Sequence, residues 1–206
     1  MNDNFYFEKV TILIVMYKEN LDTILKTLED LEPFKKIIID NAGDFKIKKE
    51  IEKNFFIEKY IVNKKNTGYT VGSNQAISLS TTEYSLLLNP DCFIKRKDIF
   101  KLVDAHIKYK NCFIAQATSY DYDKNLSYSG GLLPENGNKD EVLKLYGDTC
   151  VQSALLFCSM IKTVEASNLG PFDENFFLYF SDHDLCRRSY CPRGPDKTLP
   201  WNRRVY

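Results

Sequence analysis

Short runs of apolar, β-branched residues alternate along the first half of the chain with segments whose apolar residues recur every three or four positions. Val10-Thr11-Ile12-Leu13-Ile14-Val15-Met16 is apolar at successive positions and short, which predicts a strand covered on both faces. Leu21, Ile24, Leu25, Leu28 and Leu31 follow at helical spacing, with Pro33 beyond the stop. The same reading predicts strands at 35–40, 56–62 and 83–88, and helices at 45–54, 71–79 and 98–109. Strands alternating with helices predict an α/β fold with a doubly wound, mostly parallel sheet. Beyond residue 110 the pattern shortens. Strands around 112–118 and 151–158, separated by a Gly- and Asn-rich stretch at 129–138, predict a smaller α+β half. The aromatic residues Phe176, Phe177, Tyr179 and Phe180 read as core, and the proline-bearing residues 191–206 as an irregular tail.

Composition narrows this picture. A chain of 206 residues with 44% hydrophobic content can bury one sizeable core, and no linker or internal repeat divides it. Lys+Arg and Asp+Glu are equal at 28 each, so no basic surplus points to nucleic acid, and any phosphate binding must be local. The polar, acidic start is unlike a secretory signal, and no apolar run nears the ~20 residues a membrane helix needs, so a cytoplasmic location is expected. Six scattered cysteines without a CxxC pair, and only His106 and His183, predict buried thiols rather than a zinc site.

Ligands of an open parallel sheet sit beyond the carboxyl ends of its strands. Four successive predicted ends carry polar residues: Tyr17, then Asp40-Asn41, then Asn66-Thr67-Gly68, then Asn89-Pro90-Asp91. Asp91 stands on a tight, proline-stiffened turn. A hard cation such as Mg2+ or Mn2+ needs few protein carboxylates when water and phosphate oxygens fill its other positions; the same tripeptide also suits an Asx-type turn. Asp40 can accept hydrogen bonds from a pyrimidine or a ribose hydroxyl, or cap the next helix. Asn66, Gly68 and Asn74 make either an ordinary loop or a helix start whose N–H groups favour phosphate.

Six ordered segments then resemble the motifs of family 2 glycosyltransferases: Ile14-Val15-Met16-Tyr17, Ile39-Asp40-Asn41-Ala42, Asn66-Thr67-Gly68-Tyr69 through Asn74, Leu88-Asn89-Pro90-Asp91, Asn168-Leu169-Gly170-Pro171-Phe172-Asp173-Glu174, and Phe177-Leu178-Tyr179-Phe180-Ser181-Asp182-His183-Asp184-Leu185-Cys186. The last two are similar to the rhamnosyltransferase-like branch. The resemblance implies a single GT-A domain over residues 1–190, with a nucleotide-sugar half at about 1–110 and an acceptor half at 111–190. It implies an inverting transfer of a sugar, rhamnose from dTDP-rhamnose by analogy with that branch, onto a lipid-linked or polysaccharide acceptor in O-antigen or cell-surface glycan assembly. Peripheral contact with the inner membrane would follow from a lipid-linked acceptor.

The roles carried over are Asp91 for the divalent metal (Mg2+ or Mn2+) and Tyr17, Asp40, Asn41, Asn66, Gly68, Asn74 and Asn89 for a dTDP- or UDP-sugar donor. Asp182 is the implied base, and Tyr179 could shape the acceptor side. Two departures stand out. The family's usual Glu-Asp pair is Ser181-Asp182 here, and no histidine follows His183, so the resemblance implies a chain shortened at its C-terminal side, down to a nucleotide-sugar-binding remnant in the extreme reading. Asp184 reads as structural, with Arg188 as its ion-pair partner.

Overall fold

The computed structural model describes residues 2–131, 147–190 and 204–205. In chain order its elements are α1 (Asp3–Lys9), β1 (Val10–Met16), α2 (Leu21–Glu29), β2 (Lys35–Asp40), α3 (Phe45–Asn54), β3 (Lys59–Val62), α4 (Gly68–Leu79), β4 (Tyr84–Leu88), α5 (Arg96–Lys108) and β5 (Cys112–Gln116). A hairpin of β6 (Ser119–Tyr120) and β7 (Leu126–Tyr128) follows, then β8 (Cys158–Lys162), α6 (Thr163–Leu169), α7 (Ser181–Tyr190) and β9 (Arg204–Val205). The main sheet runs β3-β2-β1-β4-β8-β5-β9. β3, β2, β1 and β4 are mutually parallel, and β8 lies antiparallel between β4 and β5.

Because successive side chains of a strand point to opposite faces, the apolar run of β1 feeds two cores. Ile12, Ile14 and Met16 meet Ile24 and Leu28 of α2, Ile51 of α3, and Ile99 and Val103 of α5. Leu13 and Val15 face the other way, toward Ala76 and Ile77 of α4, Ala166 of α6, and Leu185 and Cys186 of α7. Helices on both faces make the doubly wound α/β sandwich that the alternation predicts. Gly72 lets α4 lie directly on β1: a Cβ there would come within 2.7 Å of Val15 Cγ1.

Expectations are corrected at two segments. Residues 151–158 do not form one strand. The N–H of Leu155 donates to Gln116 Oε1 at 2.9 Å, that of Ala154 to Cys186 Sγ at 3.4 Å, and Ser153 makes only an isolated bridge to Gly131. Side chains meet the backbone needs of this segment, and the strand begins at Cys158. The tail is not irregular to its end, since Arg204–Val205 pair in parallel with β5, whose other edge is taken by β8; residues 191–203 lie outside the described residues. The polar N-terminus forms α1, capped by Asn2, with Tyr6 stacked on Phe100 at 4.1 Å. Cys112, Cys158 and Cys186 are buried as expected, whereas Cys150 is exposed. Among the described residues, no helix is long and apolar enough to cross a membrane.

His106 is buried behind Tyr84, with Nδ1 3.2 Å from the Cys112 carbonyl and Nε2 3.2 Å from the Met160 carbonyl. A neutral imidazole donates to only one of them. Burial nevertheless prevails over both carbonyls and pushes the pKa down to about 4. The folded value lies below the unfolded ~6.5, so the unfolded chain takes up the proton first as pH falls. Stability from this residue is complete above about pH 6.5 and is lost toward pH 4, on the order of 2 kcal/mol by pH 5. Urea midpoints at pH 7 and pH 5 should therefore diverge less in His106→Gln than in the wild type; an equal fall in both would reject the assignment.

Candidate active site

The sheet order changes direction between β1 and β4, the place where open α/β sheets bind ligands. A cleft of about 260 Å3 opens there. It collects Tyr17 and Glu19 from the end of β1, Asn41 from the end of β2, Asn66 and Gly68 from the start of α4, and Asn89 and Asp91 from the end of β4. Phe177 and Leu178, distant in sequence, close one side.

The Asn89-Pro90-Asp91 turn is held at three points. Thr27 Oγ1 of α2 donates to the Pro90 carbonyl at 2.6 Å, the Asn89 N–H donates to the Phe157 carbonyl at 2.7 Å, and the Cys92 N–H closes the turn on the Asn89 carbonyl at 3.1 Å. Asp91 projects exposed from this fixed base. Burial, then the charge of Asp91, raises the pKa of Glu19, so two carboxylates face one region of the cleft. Among the described residues no cluster of three or more His, Cys, Asp or Glu side chains could hold a metal. The donor set instead fits a hard cation that takes one or two protein oxygens and completes its shell with phosphate and water. Lys18, between the cleft residues Tyr17 and Glu19, has φ +57°, and Phe180, two residues beyond Leu178, has φ +67°; both are non-glycine residues held in the left-handed region.

The turn into α4 is built by side chains. Asn41 donates through Nδ2 to the Gly68 carbonyl at 3.0 Å, and its Oδ1 accepts from Asn63 Nδ2 at 2.8 Å and Thr67 Oγ1 at 2.9 Å. Asn66 Oδ1 accepts from the Gly68 N–H at 2.9 Å, and the Tyr69 N–H donates to the Phe177 carbonyl at 2.9 Å. The N–H groups of Gly68 and Tyr69 are thus spent within the protein, contrary to the expectation that they face phosphate. Gly68 has φ +83°, and a Cβ there would strike the Phe177 carbonyl and lie 2.8 Å from its ring carbon Cδ2. Gly68→Ala should cost about 1–3 kcal/mol and detach the Phe177 segment from the cleft. Thermal unfolding beside limited proteolysis checks this; unchanged melting with an intact segment would contradict it.

Other predicted residues lie elsewhere. Asp40 is fully buried, its oxygens accepting from the N–H groups of Ala42 at 2.7 Å and of Gly43 and Asp44 at 3.2 Å. It shapes the β2–α3 turn and does not line the cleft. Asn74 exchanges hydrogen bonds with the Phe172 backbone at 3.0 and 3.1 Å and so ties α4 to the 172–174 loop. Asp182 opens α7, and its Oδ1 accepts from the His183 N–H at 2.9 Å and from His183 Nδ1 at 3.0 Å. It does not line the cleft; its link is Tyr69, a cleft residue whose hydroxyl pKa is raised by burial first and by the charge of Asp182 as well.

Asp184 binds Arg188 at 2.7 Å, as expected, and the guanidinium also reaches the carbonyls of Leu169, Gly170 and Pro171. The aromatic segment is not core. Phe177, Tyr179 and Phe180 are 57%, 75% and 68% exposed, because the segment docks through the Phe177 backbone while Phe172 and Leu185 fill the core. Sequence reasoning missed Glu19, Phe177 and Leu178 as cleft residues. Position just after β1 was a usable signal for Glu19; nothing local marked the other two.

A doubly wound sheet with a carboxylate-bearing turn at its switch point is an architecture that receives ligands at its strand ends. Residues 11–164 match the family described as Glycosyl transferase family 2, and the chain belongs to that family. It is 26% identical over 198 residues to the low-salt glycan biosynthesis hexosyltransferase Agl10 of Haloferax volcanii, covering 88% of this chain and 62% of that protein. It is 27% identical over 205 residues to the rhamnosyltransferase WbbL of Escherichia coli K12, covering 87% of this chain and 76% of the relative. Among solved structures, that of GalNAc-T7 with UDP, GalNAc and Mn2+ superposes with a TM-score of 0.70 over 90% of this chain and 41% of the other, at 13% identity, a likeness of GT-A fold.

Proposed function

We propose that the chain is an inverting glycosyltransferase that moves a sugar from a nucleotide-diphospho donor onto a glycan or lipid-linked glycan. Rhamnose from dTDP-rhamnose is the donor favoured by the rhamnosyltransferase relative, with cell-surface glycan assembly as the setting. The observation that carries the reading is the cleft at the β1/β4 switch point, where Asp91 stands exposed on a turn pinned from three sides.

Asp91, with Glu19 beside it, would hold a divalent cation, which supplies charge neutralisation for a departing diphosphate. Tyr17 and Asn66 border the same cleft and are placed to contact the donor. Asn41, Asn63 and Thr67 fix the wall on which the donor rests. Asp182 takes the proton from the attacking acceptor hydroxyl. Purified protein should release nucleoside diphosphate from at least one of dTDP-rhamnose, UDP-glucose, UDP-N-acetylglucosamine and GDP-mannose in Mn2+, and more with acceptor glycan added. Neither binding nor release with any of these would reject the reading.

A further inference from the structure

Of the buried cysteines, Cys112 directs its Sγ at the Ile114 carbonyl at 3.4 Å, and Cys186 meets the backbone of Ala154 at 3.4 and 3.6 Å. Cys92 and Cys158 instead meet each other, thiol to thiol in hydrogen-bond contact. The backbone makes this pairing. Leu88, the last residue of β4, lies opposite Cys158, the first of β8. The chain then turns through Asn89-Pro90-Asp91. The bonds from the Asn89 N–H to the Phe157 carbonyl and from the Cys92 N–H to the Asn89 carbonyl fold Cys92 back over that strand end. Half-buried there, Cys92 packs on the apolar cluster that contains Cys158. Both residues also line a second cavity, of about 830 Å3, which gives a small oxidant a way to the pair although Cys158 is only 4% exposed. Asp91 lines this cavity as well as the cleft.

Two thiols in contact need only lose two electrons to become a disulfide. With hydrogen peroxide as the oxidant, the Cys92 thiolate attacks one oxygen, the O–O bond breaks and hydroxide leaves, which makes a sulfenic acid. The Cys158 sulfur then attacks the Cys92 sulfur and the S–O bond breaks, the thiol proton leaving with the hydroxyl as water. A covalent bond holds two sulfurs closer than a thiol hydrogen bond does, so the side chains must draw together. Cys158 is fixed in the ladder opposite Leu88, and the movement therefore falls on the turn, one residue from the carboxylate of Asp91.

We propose that Cys92 and Cys158 form a reversible oxidation site whose disulfide moves the Asp91 turn and so weakens binding in the cleft. What the cleft binds rests on the donor reading above; the oxidation does not. Reduced wild type treated with equimolar hydrogen peroxide, then alkylated, digested and weighed by mass spectrometry, should give a peptide cross-linked between Cys92 and Cys158, and dithiothreitol should remove the link. By calorimetry, the oxidised protein should bind UDP and dTDP in Mn2+ about ten- to a hundredfold more weakly than the reduced one, with recovery after dithiothreitol. Cys92→Ser and Cys158→Ala should bind as the reduced wild type does and show no response to peroxide. Absence of the cross-link, or a bond from Cys92 to another cysteine, overturns the proposal, as does a cross-linked protein that binds nucleotide as tightly as the reduced one. A reversible cross-link in a protein that binds neither nucleotide in either state would keep the oxidation site and remove the donor reading instead.

Discussion

Asp182→Asn should lower turnover by about two to four orders of magnitude while leaving nucleotide affinity within a factor of about two. The expectation follows from which atom of Asp182 does what. Oδ1 accepts both hydrogen bonds from His183, and an asparagine oxygen at the same position accepts them equally well. The first turn of α7 should therefore survive, with Leu185 and Cys186 still in the core and Arg188 still clamped on Asp184. What an amide cannot do is take the acceptor proton. The position normally filled by glutamate in the family is Ser181, which is buried, so no carboxylate stands beside Asp182 in the sequence before it; His183 is its neighbour instead. Single-turnover transfer and calorimetry with dTDP or UDP in Mn2+ separate the two quantities. Unchanged turnover would move the base to another carboxylate, and a parallel loss of nucleotide affinity would make Asp182 a structural residue.

How much of this was legible beforehand depended on the range of the interactions involved. β2 and α3 have the bounds their periodicity predicts, since an apolar run and a 3.6-residue repeat are local properties. The convergence of Tyr17, Asn66, Gly68, Asn89 and Asp91 was also readable, because alternation places strand ends on one edge. Asp40 shows the limit. A carboxylate ending a strand points either into the crevice or back over its own turn, and the three N–H groups at positions 42–44 decide for the second. Asn74 spends its amide on a backbone 98 residues away, which no local pattern announces. Residues 151–157 look like a strand because Val151 and Leu155-Leu156-Phe157 are apolar, yet a glutamine side chain and a thiol from other elements supply their hydrogen bonds. The aromatic run at 176–180 misled for the opposite reason: ring hydrophobicity suggested burial, whereas the chain is anchored there by a carbonyl.

These long-range contacts share one end of the sheet. Asn74 ties α4 to the Phe172 loop, Arg188 gathers the carbonyls of Leu169, Gly170 and Pro171, and Phe177 seats its carbonyl on Tyr69. Together they bring Phe177 and Leu178 into the wall of a cleft otherwise made from the first 91 residues, with α7 starting three residues further on. The approach of this segment to the cleft is thus set by glycine at 68 and asparagine at 74, not by its own local sequence.

Asp91→Ala should abolish stimulation by Mn2+ and lower kcat/KM by about a hundred- to a thousandfold. The turn is fixed by bonds to Pro90, Asn89 and Cys92 backbone atoms, none of which involves the Asp91 side chain, so truncation removes the carboxylate and leaves its scaffold. Glu19 remains, and losing the neighbouring charge removes one of the two causes that raise its pKa, so it stays ionised to lower pH than in the wild type. A single carboxylate at the wrong strand end is a poor substitute, because the cation must sit where diphosphate oxygens complete its shell. The loss should fall on the phosphate-dependent part of binding. By calorimetry, the nucleoside alone should bind both proteins alike, and the diphosphate should lose its Mn2+ dependence only in the variant. Metal-dependent transfer at the wild-type rate by Asp91→Ala would place the cation elsewhere in the cleft.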